Sequence, residues 1–212
     1  TTYFFNNSLA VVDSVRNSGP VVDMLFSDSG VFACNIGGLI PNNGRLGKGD
    51  PISFRNGNWS RGQTLFDSLQ RPVQLAAADF NKDGKNDYLV CEFGFLTGAL
   101  SWMEAGDNGR FTRHVLRALP GAIKAYVDDW NGDSLPDICV LFAQGDESII
   151  LYTNKGNVRF VEKRLLTFPP VYGSSYFELA DMNKDGHPDI VYTCGDNADY
   201  PLILKPYHGL YI

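Results

Sequence analysis

Three nine-residue stretches carry side-chain oxygens at spacings suited to a hard cation: Asp79-Phe80-Asn81-Lys82-Asp83-Gly84-Lys85-Asn86-Asp87, Asp129-Trp130-Asn131-Gly132-Asp133-Ser134-Leu135-Pro136-Asp137 and Asp181-Met182-Asn183-Lys184-Asp185-Gly186-His187-Pro188-Asp189. Oxygen-bearing side chains fall at positions 1, 3, 5 and 9, and the main-chain carbonyl of position 7 adds a further ligand. Oxygen donors of this number and kind suit calcium. The expected ligands are Asp79, Asn81, Asp83, Lys85 and Asp87 in the first loop. They are Asp129, Asn131, Asp133, Leu135 and Asp137 in the second, and Asp181, Asn183, Asp185, His187 and Asp189 in the third. The alternative is an aspartate-rich β-turn with solvated side chains, but three copies with the same oxygen positions favour the cation. A glycine at position 6 permits the sharp turn in the first and third loops. Ser134 replaces it in the second, where strain is expected to weaken the site. Phe80, Trp130 and Met182 share position 2, and a regularly apolar residue inside a polar loop is expected to pack rather than to bind a ligand.

The elements that must present these loops recur with them. The first aspartates stand 50 and then 52 residues apart, and prolines at 20, 72, 120 and 170 each precede a strand ending in aspartate. Such a period marks a repeat architecture. The units are 20–71, 72–119, 120–169 and 170–212, with 1–19 supplying strands of a preceding or closing unit. The second unit shows the plan: small residues Leu75 to Ala78, the loop, then Tyr88 to Cys91, Ala99 to Met103 and Phe111 to Arg117. In the first unit Asp28 stands where Asp79 stands in the next, but the loop is cut to a turn and no metal is expected there. Middle strands such as Ile138 to Phe142 are apolar without alternation, as when both faces are covered. Fourth strands carry charge (Arg113, Arg117, Glu162, Lys163 and Arg164), as suits an outer edge. The fold class read from this is all-β, a β-propeller of four-stranded antiparallel blades, about four of them present.

The loop between strands one and two of each roughly 50-residue unit resembles the FG-GAP/VCBS repeat family, whose blades also occur in integrin α-subunit propellers and in many bacterial surface and secreted proteins. The resemblance covers about residues 20 to 212. It departs at Ser134, in the first unit's missing loop, and at Phe93-Gly94, which no Gly-Ala-Pro follows. It implies a propeller of about seven blades with up to three structural calcium ions, located extracellularly, on the cell surface or in the periplasm. It further implies a binding or scaffold role toward a protein or glycan ligand. The four units would then be an arc whose partners are further blades or domains of the same polypeptide; the competing arrangement is a ring of four closed by Leu9 to Val15. The alternative function is the propeller body of a polysaccharide-active enzyme such as a lyase, which requires a histidine beside arginine and tyrosine in an axial pocket.

Composition sets bounds. The 212 residues are 44% hydrophobic and 13% aromatic, enough for a buried core. A net charge of −6 argues against a nucleic-acid partner, and three divalent ions would bring it to about zero. No apolar run approaches the roughly 18 residues of a membrane span, and no signal peptide is visible. Cys34, Cys91, Cys139 and Cys194, one per unit, are expected as buried free thiols. No nucleophile and base pair emerges, and no catalytic residue is assigned. Trp59, among polar and glycine residues, is a candidate exposed stacking surface, and Gly37 to Gly49 is read as a long loop open to a binding role.

Overall fold

A computed structural model describes residues 1–157, 159–195 and 206–212. Apart from two single-turn 3₁₀ segments, every regular element among the described residues is a strand. Strands β1 (Thr2–Phe5) and β2 (Val11–Val15) form a hairpin. Blade one contains β3 (Val21–Ser27), β4 (Gly30–Asn35), β5 (Gly47–Arg55) and β6 (Asn58–Arg61), with β7 (Phe66–Leu69) also paired to β5. Blade two is β8 (Pro72–Ala78), β9 (Asp87–Glu92), β10 (Ala99–Ala105) and β11 (Phe111–Arg117). Blade three is β12 (Ala122–Asp128), β13 (Asp137–Phe142), β14 (Ser148–Asn154) and β15 (Phe160–Thr167). Blade four is β16 (Ser174–Ala180), β17 (Asp189–Cys194) and β18 (Gly209–Tyr211). Residues 196–205 of the fourth unit lie outside the described residues. All pairings are antiparallel, and the four sheets pack side by side as propeller blades.

The repeat extends to a shared irregularity. The register slips near the start of each first strand, between Val21 and Asp23, Pro72 and Gln74, Ala122 and Lys124, and Ser174 and Tyr176. The residue after the slip reaches the next blade: Asp23 Oδ2 accepts from Leu75 N at 3.2 Å, and Gln74 clasps Ala125, accepting from its N at 2.6 Å and donating to its O at 3.1 Å. The third interface is made differently. Lys124 there lies over the rings of Tyr126 and Tyr176, and Tyr126 Oη donates to Phe177 O at 3.3 Å and to Glu178.

The hydrophobic core lies chiefly between blades. One cluster joins Phe32, Cys34 and Phe66 of blade one to Leu75, Tyr88 and Met103 of blade two. A second sets Phe80, Leu89 and Trp102 against Ala125, Val140 and Tyr152. A third joins Cys139, Leu141 and Ile149 to Phe177 and Tyr192. Strands β9 and β13 are buried along their whole length, which is why their sequences lack alternation. All four cysteines are free and buried.

Inner strands pack in the order β3, β8, β12, β16, and no comparable packing joins β16 to β3 among the described residues. Strand β2 does not complete the last blade. It pairs with β1, and the hairpin rests on blade one through Val15, Phe4 and Trp59.

Two sequence expectations are corrected. Gly37 to Gly49 is not loop throughout, because β5 begins at Gly47. Gly47 and Gly49 are there for close approach: a Cβ would meet Pro72 Cδ at 2.1 Å and Phe66 Cδ2 at 2.8 Å respectively. Trp59 is a half-buried β6 residue whose ring stacks on Phe4 with centroids 4.1 Å apart, so the stacking surface is already covered.

Candidate metal centres

The three loops connect first to second strands of blades two, three and four, and position 9 of each (Asp87, Asp137, Asp189) opens the second strand. Inside each loop the same hydrogen bonds recur. The N–H of position 5 is accepted by the side-chain oxygens of positions 1 and 3: Asp83 N by Asp79 and Asn81, Asp133 N by Asp129 and Asn131, Asp185 N by Asp181 and Asn183, all at 2.9 to 3.1 Å. The other oxygen of position 1 accepts from position 6, and position 5 accepts from position 7. Asx turns therefore draw the oxygens of positions 1, 3 and 5 onto one short run of backbone.

This wrapping needs two residues in the left-handed region. Positions 4 and 6 have φ of +60° and +82° (Lys82, Gly84), +75° and +67° (Gly132, Ser134), and +62° and +88° (Lys184, Gly186). The second loop therefore carries its glycine at position 4 and a side chain at position 6, the reverse of the others. The extra weakness expected from Ser134 does not follow, because every loop holds one glycine and one strained non-glycine residue.

Position 9 ties the loop to the blade. Asp87 accepts from Phe80 N at 3.2 Å and from Ala105 N at 2.7 Å, and Asp137 accepts from Asn154 N at 2.8 Å and Asn131 Nδ2 at 3.0 Å. Both carboxylates are fully buried, and burial pushes their pKa values up. Asn81 Nδ2 donates to Glu104 at 3.0 Å, which turns the amide oxygen into the loop. Glu104 also bonds His114 Nε2 at 2.7 Å, and this bond, with that from Asn81, lowers its pKa. Nothing in the sequence marked Glu104, which stands on the third strand and meets the loop only through the blade's pleat.

Position 2 varies with what lies beyond it. Phe80 is 1% exposed and sits against Trp102 and Phe160 of blades two and three. Trp130 packs partly onto the cluster containing Leu179 and Ile190 of blade four. Met182, the same position in the last loop, is 53% exposed, so the packing expectation holds for two of the three.

Among the described residues, no three Asp, Glu, His or Cys side chains converge closely enough to form a metal group by themselves. The donor set of each loop also includes an asparagine oxygen and the position-7 carbonyl. All are hard oxygens, each carboxylate oxygen keeps lone pairs beyond its amide contact, and three aspartates per loop supply the charge. The donor chemistry therefore fits calcium, with the fifteen predicted residues as the ligands that would hold it.

The three histidines stand on separate elements: His114 on β11, where it bonds Glu104, His187 in the third loop and His208 just before β18.

Residues 129–192 match the family model of the FG-GAP-like repeat. The match opens at Asp129, takes in the rest of blade three and ends in β17, so it contains both the second and third loops. The matched segment thus spans the junction of blades three and four, and the loop of blade two repeats the hydrogen-bond pattern of the two loops inside it. No helix among the described residues is long and apolar enough to cross a membrane.

Proposed function

We propose that the chain is a calcium-binding propeller module that serves extracellularly as a binding or scaffold unit for a protein or carbohydrate ligand. The observation that carries the calcium reading is the hydrogen-bond pattern repeated in three loops. It gathers oxygens of positions 1, 3 and 5 around the N–H of position 5, with Glu104 and Asp137 orienting the position-3 amides of the first two loops, and a buried aspartate clamps the loop's end in the same two. The role of the ion is structural: it would neutralise aspartates crowded at a hairpin and fix two blade strands together. Extracellular modules of this kind bind calcium with a Kd of about 10⁻⁴ to 10⁻³ M, so such sites fill where calcium is millimolar. At ten times Kd each site adds about 1.4 kcal/mol, and three add about 4 kcal/mol, a large share of a typical stability of about 5 to 15 kcal/mol.

Calorimetric titration of the chain with calcium tests this. Up to three sites are expected, with one lost in Asp133→Ala. Absence of binding at millimolar calcium would leave the loops as hydrogen-bonded turns and overturn the reading.

A further inference from the structure

The crevice between blades three and four is built unlike its neighbours. Where β8 ends in Ala76, Ala77 and Ala78, the same register positions of β12 are Tyr126, Val127 and Asp128. These larger residues border a cavity of about 400 Å³, whose walls include Tyr126, Asp128 and Trp130 of blade three and Leu179, Asp181 and His187 of blade four. Such a volume lies in the range of small-ligand sites.

Charge and shape define what it would take. Asp128 and Asp181 line the cavity and no lysine or arginine does. Of the basic side chains nearby, Lys124 is held over the rings of Tyr126 and Tyr176, Lys184 is exposed on the third loop, and the His187 imidazole is itself part of the wall. Glu178 adds a further carboxylate, bonded to Tyr126 Oη. Calcium would not reverse this sign, since with one divalent ion each the second loop keeps a net charge of −1 and the third, which includes Lys184, comes to zero, while Asp128 and Glu178 remain. Asp128 also belongs to neither ligand set. The other two loops have alanine there, Ala78 and Ala180, so the loop pattern does not account for it. Trp130 offers an aromatic wall beside these carboxylates, suited to an aliphatic stem and to a cation above the ring.

We propose that this crevice seats a basic side chain, lysine or arginine, of a partner protein, with its charged head toward Asp128 and its stem along Trp130. The proposal deepens the binding-module reading above by naming the ligand chemistry, and it does not depend on calcium being bound.

The test is a titration of the full ¹⁵N-labelled chain with Nα-acetyl-lysine amide and Nα-acetyl-arginine amide, following the tryptophan indole resonances, with Trp130→Phe identifying that of Trp130. Nα-acetyl-norleucine amide and a neutral methyl glycoside serve as controls. A saturable shift of the Trp130 signal is expected with the basic probes only, with affinity about tenfold weaker in Asp128→Ala. Because alanine is the residue of both sister positions, that variant should melt as the parent does; Asp128→Asn replaces it if it does not. No response to the basic probes, an equal response to norleucine, a response to the glycoside alone, or unchanged affinity in the Asp128 variant would overturn the proposal. Repeating the titration in chelator and in millimolar calcium, with melting temperatures, separates the two readings. Lost probe binding with an intact calcium increment refutes the crevice alone, and the converse refutes calcium alone.

Discussion

Position 2 of the loops offers a perturbation whose size follows from what covers it. Phe80 is 1% exposed, lies edge-on to Trp102 and Phe160 at 5.8 and 6.0 Å, and its carbonyl accepts from Asn154 Nδ2 at 2.9 Å across the blade junction. Truncating a buried phenylalanine to alanine costs about 3 to 5 kcal/mol, through lost transfer energy and the cavity left behind. Met182 stands at the same loop position with 53% of its surface exposed, so Met182→Ala removes little buried area and should cost under about 1 kcal/mol. Urea unfolding of both variants in chelator, with matched slopes, measures the difference, expected to be at least about 2 kcal/mol. If Phe80→Ala does not fold, Phe80→Leu supplies the comparison, again expected to exceed Met182→Ala. Equal losses at the two positions would refute the view that this residue is a plug whose worth is set by the adjoining blade. It would mean that Met182 is covered in solution.

Ser134→Gly should stabilise the second loop by about 1 kcal/mol, since Ser134 sits at φ +67°; thermal unfolding would show it, and no gain would mean the strain is compensated. The Asp83→Ala variant is expected to lose about a third of the calcium-dependent melting increment, if three sites contribute equally. Hydrogen bonds from Arg164, together with the charges of Arg164 and Arg117, hold the Asp146 carboxyl below its ordinary range. Its contribution is therefore present above the unfolded pKa of about 4 and is lost as pH falls through the lower folded value, so Asp146→Asn should flatten the acid limb of stability against pH. Burial pushes the Cys139 thiol up to about 12 and raises those of Cys34 and Cys91 as well. These three should resist a disulfide reagent at pH 8 and react once the chain unfolds.

Much of this was legible because the repeat writes the same physics several times. Apolar β9 and β13 follow from cover on both faces, and the loop ligands from their fixed spacing. What could not be read depended on contacts between distant segments. Gly47 and Gly49 look like loop residues, yet they lie in a strand paired to β4 and β7, and they are glycine because Pro72 and Phe66 leave no room for a Cβ. Trp59 reads as exposed among polar neighbours, and only the N-terminal hairpin, bringing Phe4 onto its ring and Asp13 to its N–H at 2.6 Å, covers it. Ser134 reads as a defect until Gly132 is seen to carry the other left-handed position. Asp128 precedes its loop where Ala78 and Ala180 precede theirs, a difference plain in the sequence, but only the packing of blade three on blade four sets it in a crevice with Trp130.

Thermal unfolding of the full chain in excess chelator and then in millimolar calcium, with particle size followed in the same sample, bears most directly on the calcium-loop claim. A rise in melting temperature on adding calcium, abolished when Asp83, Asp133 and Asp185 are all replaced by alanine, is expected. An unchanged melting temperature would contradict it and leave the three loops as turns held by their own amides.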